Sequence, residues 1–372
     1  MKPTFHIDFS QHLNKPLPYL TNTRATNAWG FVNGVLKQFT GNECRYTDDG
    51  LLVEKESTNL LDYSCDLTSS WSVNNASTGQ SSIGVDGINQ CTRVDYTGSG
   101  YIQLAFSGTN IVRTFSIYAK RIDNANPVFF SVDNGTTKIE MDIPTDTFKR
   151  FEYPFLDDTF NIRIYGDTDS VLFDYAQLEA GDYATSPIFT NGAPYTRTED
   201  EISMVVEQGN SLEWFNFEEG AFVCEFMPST IKYLKCRAFA IGEDAGGVDG
   251  LNVGYEVSNF YEEFTCGYDT NTHYQFSNTD TADTDFETPP IIKIATSYFD
   301  DSIVTGLTYT PLVSINVFTP GYKSATDVAI DMSAYDIVRF GATLQNTELS
   351  SVFIKRFTYY NKFIQQADLN NL

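Results

Sequence analysis

Apolar and polar residues alternate with a period of two along much of this chain. Phe115, Ile117 and Ala119 alternate with Thr114, Ser116, Tyr118 and Lys120, and Phe222, Cys224 and Phe226 alternate with Val223 and Glu225. This is the pattern of strands that bury one face and wet the other. Turn clusters such as Thr97-Gly98-Ser99-Gly100 and Asp133-Asn134-Gly135 separate the runs. Many short strands between many tight turns predict an all-β protein of two antiparallel β-sandwich (jelly-roll) domains in tandem. Helical spacing occurs once, in the C-terminal stretch Ile364-Gln365-Gln366-Ala367-Asp368-Leu369. So short a helix is unstable alone in water and has to dock its apolar side on a core.

The chain has 372 residues, enough for two cores. Gly192 and Pro194 break the pattern near Asn191–Arg197, which sets the expected division. An irregular opening segment (1–60) is expected to pack on a first sandwich (61–195), and a second sandwich occupies 196–372. Aromatics form 15% of the sequence, and Trp214 is expected to anchor the second core.

The net charge of −25 changes the set of partners. A surface this acidic repels phosphate backbones and anionic lipid heads, so neither nucleic acid nor membrane is expected to bind. No run of 18 apolar residues occurs, and the first eight residues carry no signal-peptide core. Without export, the six cysteines are expected as buried thiols. They show no C-x-x-C spacing that would suggest zinc.

Four stretches together resemble bacteriophage structural proteins built from carbohydrate-binding-type modules. Thr23-Arg24-Ala25-Thr26 is similar to their "F-T-R-A-S". Gly50-Leu51-Leu52-Val53-Glu54 with Thr58-Asn59-Leu60-Leu61 is similar to "G-L-L-I-E…R-T-N-L-L", with Ser57 where the pattern has Arg. Gln177-Leu178-Glu179-Ala180-Gly181, Ala184-Thr185-Ser186-Pro187 and Thr196-Arg197-Thr198-Glu199-Asp200 are similar to "Q-L-E-x-G…A-T-S…T-R-A-A-D". Trp214 with Glu219-Gly220-Ala221-Phe222-Val223, and later Ile354 through Tyr360, resemble the opening and closing strands of a concanavalin-A/laminin-G-like sandwich.

The resemblance implies a carbohydrate-binding-module-like first domain and a virion protein made in the bacterial host cytoplasm. Such a chain would be oligomeric on the particle, tail- or head-associated, with other virion proteins and host surface glycans as partners. Physically, Gly50 should supply a positive φ ahead of a strand whose Leu52 points inward, and Thr58 and Asn59 should satisfy backbone groups at a corner.

Candidate chemistry is sparse. A hydrolytic triad needs an imidazole, and only His6, His12 and His273 exist, none in a known signature. Gly166-Asp167-Thr168-Asp169-Ser170 reads as a polar turn. Asp280, Asp283, Asp285 and Glu287 crowd four carboxylates that could hold calcium, but the run lacks the EF-hand Gly and spacing, and a solvated loop is the better reading. Sugar rings stack on exposed aromatics, which nominates Trp29, Trp71, Tyr101 and Tyr118. The expected function is non-enzymatic: surface decoration or glycan adhesion. A polysaccharide depolymerase and a pure connector without glycan ligand are the alternatives.

Overall fold

The computed structural model describes the chain apart from residues 1, 14–15, 123–125, 206–213, 217, 230–234, 243–249, 259–260, 268–272, 279–290, 300–301, 311–321, 327–336, 343–350, 366–367 and 369–372. Regular structure among the described residues is almost entirely strand. The exceptions are a single helical position at Asp368 and the 3-10 turn Phe9–His12, whose start is capped by the Asp8 carboxylate accepting from the Ser10 N–H. The chain forms two compact units, and neither is continuous. One comprises residues 26–38 and 56–198; the other comprises 1–25, 39–55 and 199–372.

The first sandwich is organised by two long strands, Gln90–Arg121 and Lys149–Gly166. They pair antiparallel from Ala119/Lys149 to Gly100/Gly166, with an irregularity between Asp157 and Thr159. Ser72–Ile83 runs beside the first of them; Val128–Ser131 and then Ile139–Met141 extend the sheet beyond the second. Ser170–Ala180 lies against two stretches of the long strand, with Phe173 opposite both Thr92 and Ala119. The period-two pattern sorts the faces. Ile162 and Ile164 turn into a core with Ile102, Phe115, Ile117 and Phe130, while Arg163 and Tyr165 stay half-buried on the other face.

Asn59 makes the corner that the sequence suggested. Its amide nitrogen donates to the carbonyls of Ala176 (3.1 Å) and Ile188 (3.0 Å), and its oxygen accepts from the N–H groups of Leu61 and Leu178, both at 3.1 Å. Ser57, standing where the resembling proteins carry Arg, donates to the buried Glu179 carboxylate at 2.5 Å. Thr185 and Gln177 supply the other donors to Glu179.

The second sandwich has two sheets. In one, Val352–Tyr360 is central. Glu219–Pro228 pairs along one edge, with Ile291–Phe299, Ser302–Thr310 and Tyr322–Thr326 beyond it in turn. On its other edge lie Gly50–Val53 and Phe5–Asp8, and Arg45–Thr47 continues from the former. The facing sheet begins with Leu20–Asn22 and Ile202–Val205 and continues through Ile337–Phe340 and Lys235–Gly242. Ile7, Phe9, Leu51 and Val53 fill the core with Phe222, Phe239, Phe340, Phe357 and Trp214.

The opening segment, expected on the first sandwich, therefore supplies strands and core to the second. Its apolar side chains pair with residues some 300 positions away, as in Phe353↔Leu52. The parity expected of Leu52 is corrected too: Leu51 and Val53 join the core, while Leu52 is buried outside that cluster. Gly50 does have φ +119°, and a Cβ there would lie 2.4 Å from the Ile354 carbonyl oxygen.

A buried charge cluster ties these segments together. Asp200 and both arginines, Arg24 and Arg45, are fully buried, and Glu54 nearly so. Arg24 Nη1 donates to Asp200 Oδ1 at 2.5 Å, Arg45 donates to Asp200 Oδ2, and Arg45 Nη1 donates to Glu54 Oε2 at 2.7 Å. The Glu54 N–H and the Asn22 amide complete the shell of Asp200. Burial alone would push the Arg45 pKa down, but the two carboxylates beside it win and raise it. Two cations and two anions leave no net charge.

Ile364 docks as expected of the tail, against Ala221, Val223, Ala295 and Tyr360, and its N–H donates to Ser297 Oγ at 2.8 Å. The helix expected there is not shown: residues 363–365 are non-helical, and 366–367 and 369–372 lie outside the described residues.

The connectivity can be tested by dissection. A fragment of residues 199–372 lacks Arg24, Arg45 and four strands, and should give no cooperative melt; joining residues 1–55 to it should restore one. In the whole chain, Asp200→Ala leaves two buried guanidinium groups with one carboxylate between them. It should lower unfolding stability by about 3–5 kcal/mol in a denaturant titration.

Candidate functional site

The first sandwich holds a cavity of about 330 Å³, formed where the strand pair Ala28–Val32 and Val35–Phe39 meets the segment 187–197, whose end is the strand Tyr195–Arg197. The tight turn between the two strands uses Asn33 and Gly34, both at positive φ, as a two-residue hairpin requires. Trp29, Ile188 and Phe189 form apolar wall, and Tyr195, 39% exposed, stands on the rim. Asn27, Gln38, Thr190 and Asn191 add amide and hydroxyl groups, and Arg197 contributes from a buried position. The lining contains no carboxylate, imidazole or thiol.

The wall is rigid for identifiable reasons. Trp29 meets Tyr175 edge-on at 5.5 Å, and Tyr175 is itself held at φ +44°. The Tyr175 hydroxyl donates to Asp86 Oδ2 at 3.0 Å. Its backbone N–H donates to Asp174 Oδ1 at 3.0 Å, and Asp174 Oδ2 accepts from the Val85 N–H at 2.8 Å. Burial raises the Asp174 carboxyl to about 6; bonds from Val85 and Cys65 oppose the shift, and the neighbouring Asp86 charge adds to it. The Cys65 thiol nearby is raised as well, by burial and then by Asp174, which keeps it protonated at neutral pH.

Of the four nominated aromatics, Trp29 alone lines this cavity. Trp71 and Tyr118 are corrected: both are core residues, and Trp29, equally buried and in one apolar cluster with Tyr118, borders the cavity without the exposed face expected of it. Trp71 packs 6.1 Å from Phe115, and Tyr118 lies between Phe31 and the Arg150 guanidinium. Tyr101 sits half-buried on the outer face of the long-strand sheet, with Tyr165 at 5.3 Å and the Arg163 guanidinium 4.6 Å from its ring centroid. The acidic run Asp280, Asp283, Asp285 and Glu287 lies outside the described residues. Among the described residues no three metal-ligating side chains cluster. His6 bonds Thr358 within its sheet, and Cys44, Cys65, Cys91 and Cys224 are buried free thiols.

Sequence reasoning missed Phe189 and Tyr195, because 187–197 reads as a boundary. The available signal was two aromatics flanked by Pro187 and Pro194 in a stretch with no alternation.

No family model matches the chain, and no curated protein matches it. Similar solved structures include the C-terminal CBM6 of LamC, a marine laminarinase from Zobellia galactanivorans. It has 9% identity, covers 34% of this chain and 100% of that one, and gives a TM-score of 0.24. The CBM2 module of the evolved Dit of a Lactobacillus casei phage has 13% identity over 44% and 69%, with a TM-score of 0.29. A tail fibre protein of an E. coli phage has 6% identity over 83% and 41%, with a TM-score of 0.22. These likenesses are partial and assign no ligand.

The Asp174 carboxyl generates a pH prediction. Its folded pKa, about 6, exceeds its ordinary value of 3.8, so the folded state binds the proton more tightly. Its contribution to stability is full below pH ~3.8 and is lost as pH rises through 6. The melting temperature of Asp174→Asn should therefore lack a downward slope between pH 4 and 6.5 that the natural chain shows. Parallel melting curves across that window would refute the assignment.

Proposed function

We propose that this chain is a non-catalytic structural protein of a bacteriophage particle, and that its first sandwich holds a host-surface glycan in the Trp29 cavity. The observation that carries the reading is the lining itself: an apolar and aromatic wall bordered by amides, open at a rim tyrosine, in a volume suited to a small ligand. Aromatic faces suit the C–H faces of sugars, and amides and hydroxyls suit their hydroxyl groups.

The same lining weighs against a depolymerase working there. Glycoside cleavage needs two carboxyl groups flanking the bond, and the cavity has none. The virion setting, with other particle proteins as partners and assembly in the bacterial cytoplasm, is supported by the motif resemblance of the strand and corner residues. Asn59 performs in this fold the corner work that its motif implies, and Asp200, the last residue of another, holds the buried charge cluster.

On an array of bacterial surface polysaccharides, the chain should retain a restricted set of glycans and leave their chain lengths unchanged. Tyr195→Ala removes exposed rim area without touching the core, and should weaken retention roughly five- to tenfold, about 1–1.4 kcal/mol. Unchanged binding in that variant, or progressive shortening of a bound polymer, would overturn the reading.

A further inference from the structure

We propose that the outer face of the first sandwich carries a second binding site, for a carboxylate-bearing sugar, built on Tyr101, Tyr165, Arg163 and Lys138. It rests on the reading of the chain as a glycan binder but not on the Trp29 cavity. Register sets the platform: Tyr165 lies opposite Tyr101, and Arg163 lies opposite Gln103, one row along the same face. The opposite face of these strands is the core, so Tyr101, Arg163 and Tyr165 turn away from it.

Arg163 is held in place by its hydrogen bonds. Arg163 Nε donates to Gln103 Oε1 at 2.6 Å, and its Nη1 donates to the Asn134 carbonyl at 2.9 Å and to the Tyr165 hydroxyl at 3.2 Å. The Lys138 ammonium sits 4.1 Å from the Tyr165 ring centroid. Tyr165 is itself gripped by the turn at Gly135, where a Cβ would come within 2.3 Å of its hydroxyl. Holding a long side chain such as Arg163 in a single rotamer is entropically unfavourable. A surface that has already ordered its guanidinium is prepared for a ligand.

What these groups lack is a counter-ion. The chain carries 49 acidic against 24 basic residues, and Arg24, Arg45, Arg93, Arg121, Arg150 and Arg356 each meet a carboxylate. Arg163 and Lys138 meet none among the described residues. Asp133, in the neighbouring turn, is committed to Ser131 Oγ and the Thr137 N–H. Because Arg163 Nε is a donor, Gln103 presents its oxygen inward, which leaves the Gln103 amide nitrogen, Arg163 Nη2 and the ammonium as donors without acceptors among the described residues. Such a set wants an anion rich in acceptors. Two cations inside a strongly negative surface suit one carboxylate per sugar ring, since a densely charged polymer would be repelled around them.

Saturation-transfer NMR on the full chain tests this with glucuronate, galacturonate and N-acetylneuraminate, each beside a neutral counterpart: glucose, galactose and the methyl ester. At least one acid should be saturated where its counterpart is not. Its Kd should rise at least tenfold in Arg163→Gln and severalfold in Lys138→Gln, whose exposed side chain makes misfolding no concern. Tyr195→Ala should leave that Kd unchanged. The proposal falls if no acid binds, if neutral sugars bind equally, or if acetate competes as well as the sugar acid. It also falls if acid binding is lost in Tyr195→Ala but kept in Arg163→Gln, a result that would assign the acid to the cavity and leave the adhesion reading intact.

Discussion

The second sandwich depends on one buried carboxylate. Asp200 draws Arg24 from 176 positions away and the Glu54 backbone from 146, and Arg45 bridges it to Glu54. Each of these groups would be strongly unfavourable in the interior alone; together they are neutral and hydrogen-bonded. The arrangement holds the hairpin of Arg45–Thr47 and Gly50–Val53 beside Val352–Tyr360, and Leu20–Asn22 beside Ile202–Val205. Closing loops of this length costs entropy before any contact rewards it, and the buried charge cluster and the strands it holds are what offset that cost.

Much of the fold could be read from alternation and turn chemistry, because those are local. Gly50 and Asn59 were legible since each does one job that few residues can do: a positive φ against a carbonyl, and four backbone bonds from one short amide. What stayed hidden was non-local. Nothing in Gly50-Leu51-Leu52-Val53 states that its partner is Val352–Ile354, and a strand buried on both faces gives no parity to choose between Leu51 and Leu52. The aromatics show the same limit. Trp29, Trp71 and Tyr118 are alike in sequence, yet the packing around each decides which one borders a cavity.

Buried carboxylates are handled in three ways within one chain. Asp200 is neutralised by guanidinium groups. Glu179 is satisfied by Ser57, Thr185 and Gln177 without an arginine, which explains how the Ser57 departure is tolerated. Asp174 has its proton affinity raised instead, and its bonds go to holding Tyr175 beneath Trp29. The acidity that reads as a bulk property is therefore partitioned inside the protein into structural roles that composition cannot distinguish.

The strand Ser57–Asn59 pairs with Tyr195–Arg197, and the Thr198 N–H bonds Thr26 Oγ1 at 2.9 Å, so the stretch from 56 to 198 begins and ends at one clasp. A segment that enters and leaves its host at a single point behaves as a cassette. Recombination with breakpoints near 55 and 199 could exchange most of the first sandwich, and the pairing that builds the other unit would survive. A breakpoint anywhere between Arg24 and Glu54 would instead separate Asp200 from the charges it needs. The connectivity thus favours exchange of the first unit over exchange of the second.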